Sequence, residues 1–537
     1  MKMLKALKRM LMVSGLCVLG FASSLSAAEL RWANESGIGN LDPHTLREAF
    51  HLNVLKHVYE GLIRRDEKLG IEPALAERWE NVSPERWRFH LRRDVKFHNG
   101  NSFDADDVVF SFQRARDQWS DVSGYIPSDV EVVKVDPFTV DFVSGKPYPL
   151  LFAEWENLLI MDREWAEEFR AVRPTNPVTG AGEEETGLVN YAATHANGTG
   201  AYQVTAYQEG ISLKLQKNVR WWDSMSGNVD QVELLIVQSD STRSAALIQG
   251  DVDLVTPLKP GNADFFDREE ATGTDSIVGI RTIFLGMDQG RDELLYSDVK
   301  GKNPFRDIRV RKAFYHAIDA SVLTEGILKG AAAPAASLIA PVLSPGVSDL
   351  KRLPFDPEKA RSLLAEAGYP AGFSLELVCP MNRYVEDEKI CQAIAAMLSN
   401  VGIDVQLAVM EKARFFKRLR SGMTSFYLVG WLPASYEGLN VLRALAATPL
   451  DDGFFGVYNK TGYSNARLDF LTREGQAEID PEKRAAMIAE AFDILAADVA
   501  YIPLYQQGTS WASRRNVDVT VRPDNQVLLY KSHKAAP

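Results

Sequence analysis

The sequence predicts an α/β fold divided into several domains, and three observations carry that expectation. The chain is 537 residues long, enough for two to four domains. Between residues 356 and 429 helical and strand patterns alternate, as in βαβ units with a mainly parallel sheet. Hydrophobic content of 46% and charged content of 25% are ordinary for a soluble globular protein, and beyond the first thirty residues no run is long and apolar enough to span a bilayer.

The N-terminus reads as a signal peptide. Lys2, Lys5, Lys8 and Arg9 form a positive region, residues 10–21 are apolar, and Ser26-Ala27-Ala28 offers the small residues for cleavage after Ala28, with Ala27 the alternative. Leu16 before Cys17 argues against a lipoprotein. Removing four cations makes a net charge of −12 more negative still, which disfavours nucleic acid and anionic membranes as partners. Cys17 leaves with the leader. Cys379, at the end of a strand, and Cys391, inside the following helix, remain; the compartment permits a disulfide, but two buried free thiols are the expectation.

The mature chain opens with a short strand at residues 30–33 and a turn at Leu41-Asp42-Pro43-His44. Leu52, Leu55, Val58 and Leu62 follow at helical spacing. In residues 72–115, Trp87, Phe89 and Leu91 alternate with Arg88 and His90 as in a half-buried strand, which Val95 and Phe97 continue. Asn99-Gly100-Asn101 is a turn, and Asp104 is an N-cap with Asp106 and Asp107 suited to the helix dipole. Val108, Phe112 and Ala115 share the helix's apolar face. A hairpin feeding a helix occurs in many folds. The whole string, EPALAERWENVSPERWRFHLRRDVKFHNGNSFDADDVVFSFQRA, closely resembles the signature of the family 5 extracellular solute-binding proteins, the periplasmic receptors of ABC importers for peptides, nickel and related solutes. The resemblance implies a binding protein rather than an enzyme. It also implies a two-lobed periplasmic binding protein fold of type II, with an additional small domain and discontinuous lobes.

The resemblance extends over nearly all of the mature chain. It includes LDPH and YEGL near the start, Gly198-Thr199-Gly200-Ala201-Tyr202, the Asn218 to Trp221-Trp222 segment, GDVDL at residues 250–254, and FRDIRVRKAFYHAID at residues 305–319. It implies a first lobe from residues 29–63, 196–284 and 502–537, a small domain at 64–195, and a second lobe at 285–501. Within these, residues 130–133 and 138–142 read as a hairpin, and residues 173–197 as a long surface loop. Residues 242–250 read as a helix. Val310, Ala313, Phe314, Ala317 and Ile318 make an amphipathic stripe, with Arg309, Arg311 and Lys312 on a solvated face. Asp356-Pro357-Glu358 caps a helix that ends at Ala367-Gly368. Phe373, Leu375 and Leu377 alternate as a strand, Ile390, Ile394, Met397 and Val401 face one side of a helix, and strands follow at 403–409 and 426–429. A last helix covers 481–497, and residues 501–505 cross back toward the first lobe.

No catalytic motif is present: there is no His-Glu-x-x-His, P-loop, Gly-x-Ser-x-Gly or Cys-x-x-Cys, and the eight histidines form no metal cluster by spacing. No cofactor is expected. A secreted hydrolase and a chaperone-like peptide binder are the alternatives, with paired carboxylates the feature a glycosidase would need. A cleft for a small zwitterion needs a cation, an anion and aromatic walls. Arg383 and Tyr384 follow the strand at Leu377, at the carboxyl end where open α/β sheets bind ligands, and the resemblance implies an Arg near this place that holds a peptide carboxylate. Trp431 is the Trp of a Gly-Trp step. Relatives carry an Asp three residues beyond it to pair with a peptide amine; here Ala434 stands there and Glu437 is the nearby substitute. Arg47, Glu48, Ala49 and Phe50 form the loop the family sets against its ligand, or equally an exposed helix start, and Tyr505 lies where the chain re-enters the first lobe. The expected partners are a short peptide or other small solute (an opine, a modified amino acid or a metal-linked solute being the other readings) and an ABC permease, with the receptor a monomer.

Overall fold

The computed structural model describes residues 28–536 apart from 46–48, 118, 121, 124–125, 127–128, 150–154, 172, 175–189, 348, 434 and 451–454. Residues 1–27, which hold all of the expected signal peptide except Ala28, and Arg47, Glu48 and Ala434 therefore lie outside the described residues.

Among the described residues an 11-stranded sheet runs through the molecule. Its order is Ile403–Glu411, Phe373–Met381, Phe426–Trp431, Thr272–Met287, Tyr501–Arg514, Leu254–Thr256, Ala28–Asn34, Val229–Ile236, Ser212–Lys217 and Tyr202–Gln208, with Ala332–Pro334 against Tyr501–Arg514. The expected parallel pairing holds locally, where Phe373–Met381 lies parallel to Ile403–Glu411. The sheet as a whole is mixed, because Thr272–Met287 and Tyr501–Arg514 pair antiparallel and join the two halves. Both strands are unusually long, and their register breaks between Ile277 and Arg281. At the break a Cβ on Gly279 would collide with the carbonyl oxygen of Gln507, and one on Gly508 with that of Ala331. Glycine is required there by the close backbone approach.

Buried apolar side chains on the two sides of this break form separate clusters. One contains Leu30, Trp32, Leu213, Leu234 and Trp511. Two others contain Ile283, Phe314, Leu377 and Phe426, and Phe284, Tyr427, Leu442 and Phe492. A fourth core, with Phe89, Phe97, Phe112, Phe142 and Trp155, belongs to a four-stranded antiparallel sheet ordered Ala76–Ser83, Arg86–Leu91, Thr139–Val143, Glu131–Asp136. The Ala105–Ala115 helix packs on it through Val108, Phe112 and Ala115, and Asp104 caps that helix in a reciprocal capping box with Asp107. Val95 and Phe97 are buried but do not extend the Arg86–Leu91 strand; Asp94 turns the chain at φ 65° and only an isolated Lys96–Ser102 bridge follows.

Three further expectations are corrected. Arg311 is not on a solvated face: it is buried and donates to the carbonyls of Phe305, Arg306, Asp498 and Val499, at the C-terminus of the Pro481–Asp498 helix. Its guanidinium satisfies carbonyls that a helix end leaves open. Cys379 and Cys391 are not free thiols but a disulfide with Cα atoms 6.6 Å apart. The strand and the Asp387–Ser399 helix pack side by side, so residues twelve apart in sequence meet. The end of the 173–197 stretch also differs from a surface loop, since Asn190, Ala192 and Asn197 are buried.

Candidate ligand-binding site

Three sequence motifs that look unrelated converge on one carboxylate. Glu60, of the YEGL step, accepts from Thr199 Oγ1 at 2.8 Å, Trp221 Nε1 at 3.1 Å and Trp222 Nε1 at 2.9 Å. Burial raises the Glu60 pKa, and the three donors oppose that rise. Gly198 and Gly200 flank Thr199 because a Cβ on either would strike the backbone carbonyls of Val58 or His57. Asp42 and His44, of the LDPH turn, are likewise fully buried. Asp42 pairs with Arg114 and accepts from Asn190, while His44 donates from Nε2 to the carbonyl of Leu159 and accepts at Nδ1 from Arg114. These residues are architectural: they fasten the first strand and helix to the smaller sheet.

The second constellation lies at the centre of the large sheet. Arg281 pairs with Gln507 and Ile283 with Tyr505 on the neighbouring strand, while Gly430 pairs with Ile283 on the other side. Residues two apart, and residues directly opposed, share a sheet face. Arg281, Ile283, Tyr505, Gln507 and Gly430 therefore line one face. Tyr384 covers it: its hydroxyl accepts from the Gly430 amide at 2.8 Å, and a Cβ on Gly430 would come within 2.9 Å of its ring. The Arg383 guanidinium sits 5.1 Å from the Tyr384 ring centroid and 6.0 Å from that of Phe416. Asp387 builds the loop by accepting from the amides of Arg383, Tyr384 and Glu388.

Several polar atoms here lack partners. Arg383 Nε, the Tyr505 hydroxyl and Gln507 Oε1 are buried with none. No carboxylate among the described residues comes within 4.0 Å of the guanidinium of Arg281 or Arg383. Burial, with the charge of Arg383 next, pulls the Arg281 pKa down to about 10. Such groups are costly in a folded protein unless a partner meets them.

The structure thus brings Arg383, Tyr384 and Tyr505 together. Trp431 is adjacent, pairing with Thr282, but its indole donates to Asn440 and its ring packs on Tyr458 at 5.1 Å. Glu437 forms an ion pair with Arg484 at 3.2 Å, so its carboxylate already has a cation. Ala49 is exposed at the start of the Ala49–Leu55 helix, and Phe50 packs edge-on against Trp32 rather than joining the Arg383 group. Arg281 and Gln507 escaped the sequence reading. The available signal was that Arg281 is the one charge in an otherwise uncharged stretch, residues 276–287.

Beside this face the two halves touch. Tyr436 donates to Asp524 at 2.8 Å, and the Arg65 guanidinium stacks 4.1 Å from the Tyr436 ring centroid. Arg65, Lys56 and Arg522 all pair with Glu156 at 2.9, 2.6 and 3.1 Å. Burial alone would raise the Glu156 pKa, but these three cations hold it far below the carboxylate range.

Residues 70–449 match the family model described as bacterial extracellular solute-binding proteins, family 5 middle. The chain is 26% identical to the glutathione-binding protein GsiB of Escherichia coli O1:K1 / APEC over 520 residues, covering 94% of this chain and 95% of that protein. Its fold superimposes on HbpA2 from Haemophilus parasuis with a TM-score of 0.79 at 23% identity, covering 95% of this chain and 100% of the other. It also matches the periplasmic binding protein DppA of Helicobacter pylori in complex with the peptide STSA, with a TM-score of 0.72 at 22% identity over 94% and 98% of the two chains. The fold is the two-lobed type II periplasmic binding protein architecture with an extra small domain, and the family is one of solute-binding proteins rather than enzymes. The match over most of its length makes this chain a member of the bacterial extracellular solute-binding proteins, family 5.

Proposed function

We propose that this protein is a periplasmic receptor that closes its two lobes on a short peptide, held through its carboxylate by Arg383, and delivers it to an ABC permease. The observation that carries the ligand assignment is the Arg383 guanidinium: it has no carboxylate partner among the described residues and lies over the ring of Tyr384, which shares a core cluster with Tyr505, whose hydroxyl is unpartnered. Tyr384 supplies an aromatic wall, whereas Trp431, opposite Thr282 on the other side of the sheet, packs on Tyr458 and donates to Asn440. The family resemblance assigns the loop of Arg47, Glu48, Ala49 and Phe50 to the ligand; of these Phe50 packs on Trp32, and Glu437 is engaged by Arg484. The peptide-bound DppA and the glutathione-binding relatives support a peptide-like ligand. The lobes divide as residues 29–63, 196–284 and 502–537 against 285–501, with 64–195 as the small domain and the hinge on the two strands that cross between them, Thr272–Met287 and Tyr501–Arg514. Export follows from a signal peptide cleaved after Ala27 or Ala28; Ala28 is the first residue of a strand in the large sheet, so either cut leaves that strand essentially whole.

Binding is an open–closed equilibrium that the ligand shifts by contacting both lobes. Arg383→Ala is expected to weaken binding of a short peptide by about 2–5 kcal/mol, with Arg383→Lys recovering part, because Lys cannot offer two parallel hydrogen bonds to a carboxylate. The melting temperature without ligand should stay nearly unchanged. Calorimetry with a panel of di- and tripeptides tests this. Unchanged affinity in Arg383→Ala, or a lost melt, removes the role.

A further inference from the structure

Arg383 has a companion that the family resemblance does not supply. Arg281 stands on the strand that crosses between the lobes, and its side chain shares the face of Ile283, since residues two apart on a regular strand point the same way. Ile283 and Tyr384 both press on the place where a Cβ of Gly430 would stand, 2.5 and 2.9 Å from it, and Arg383 lies over the Tyr384 ring. Arg281 and Arg383 are thus two cations of one small surface. The Arg281 guanidinium has no hydrogen-bond acceptor among the described residues, and Arg383 Nε is buried without one.

The acidic groups nearby do not compensate. Asp387 spends its carboxylate on three backbone amides, and Glu437 is paired with Arg484. Position 434, where an acid would meet a ligand's ammonium group, is alanine. Two guanidiniums on one face, that of Arg281 buried, repel each other, and the repulsion is relieved when an anionic group lies between or beside them. A single carboxylate neutralises one. The charge balance of the face therefore asks for about two negative charges and offers nothing to a positive one.

We propose that Arg281 and Arg383 together bind a ligand carrying two anionic groups, such as a peptide with an acidic C-terminal residue, and that this ligand needs no free ammonium group. This rests on the peptide-receptor reading above and narrows its ligand class. Arg281 then sets specificity, and its position at the hinge lets the ligand's second anion engage the strand about which the lobes move.

Calorimetry with three probes tests the proposal: N-acetyl-Ala-Glu, N-acetyl-Ala-Gln and Ala-Gln. The parent protein should bind N-acetyl-Ala-Glu about tenfold or more tightly than N-acetyl-Ala-Gln, as expected for a desolvated charge pair gained or lost. Arg281→Met should bring that ratio close to one, change affinity for N-acetyl-Ala-Gln little, and melt no earlier than the parent without ligand, since it removes a repulsion. Arg281→Lys should keep part of the preference, and it carries the test if Arg281→Met does not fold. Equal affinity of the parent for the two acetylated probes overturns the proposal, as does a preference that survives Arg281→Met. Binding of Ala-Gln but of neither acetylated probe removes the dianion pairing and leaves the short-peptide reading standing. Binding of none of the three removes both.

Discussion

His44 and His57 carry a consequence for acid stability. Both are fully buried, and burial pulls their pKa values down, to about 4 for His44, where Arg114 adds to the effect, and to about 3 for His57. Each is neutral in the fold, whereas in the unfolded chain each takes up a proton near pH 6.5. Below that pH the unfolded state binds more protons than the folded one. The stability associated with these residues is therefore complete above about pH 6.5 and is lost as the pH falls toward 4, at about 1.4 kcal/mol per pH unit for each residue. A melting series from pH 7.5 to 4.5 should show a steep decline below 6.5, and His57→Gln should flatten it by about the share of one histidine. A variant that declines as steeply as the parent would show that His57 titrates alike in both states. The same residues explain why LDPH was recognisable: a buried Asp42–Arg114–His44 cluster tolerates few substitutions, since removing one partner leaves buried charge behind.

Among the elements, the Arg383 loop is the most constrained. It is enclosed between Cys379 on the Phe373–Met381 strand and Cys391 on the Asp387–Ser399 helix, and both Asn382 and Glu386 adopt positive φ, 58° and 54°. Non-glycine residues hold that conformation only when their surroundings enforce it. The disulfide supplies such enforcement, and closing a loop of this length stabilises by roughly 3 kcal/mol in the chain-entropy account. Replacing both cysteines by serine, or reducing the protein, is expected to lower the melting temperature and to weaken binding of whichever probe the parent binds best, because Arg383 is then less firmly aimed. Thermal melts and calorimetry on oxidised and reduced protein decide it; equal affinity in both forms would restrict the bond to a stabilising role. The strand and the helix were legible from alternation and 3.6-residue spacing. The bond was not, because it depends on how closely the two elements pack, a tertiary distance that their spacing in the chain does not encode.

For the whole molecule, Tyr436 is the residue on which closure can be read. It reaches from the loop after Phe426–Trp431 to Asp524 and stacks under Arg65, so it links the second lobe to the opposite side of the cleft. Leu69, Ile280 and Ala340 pack into a small apolar cluster with Leu432 and Tyr436 at the same place. Tyr436→Phe keeps the ring and removes one hydrogen bond to a carboxylate, worth about 1.5–3 kcal/mol. The closed form should lose that much against the open one, so ligand affinity should fall by about tenfold or more. Small-angle scattering should show a larger radius for the ligand-free variant, and compaction on adding a saturating ligand in both proteins. No difference in radius or affinity between variant and parent would mean that the contact does not bias the lobes.

The sequence by itself determined the α/β class, the family resemblance, the helix caps at Asp104 and Asp356, and the strand–loop position of Arg383. These depend on local spacing and on side chains that satisfy nearby backbone groups, and such information is contained in a few consecutive residues. Only the tertiary structure decided that Glu60 gathers Thr199, Trp221 and Trp222, that Arg311 is buried, that Cys379 meets Cys391, and that Arg281 stands beside Arg383. Each of those joins positions far apart along the chain or on different elements. A charged residue in a sequence looks the same whether water or a buried carbonyl will surround it, and only the packing of one element on another settles which it meets.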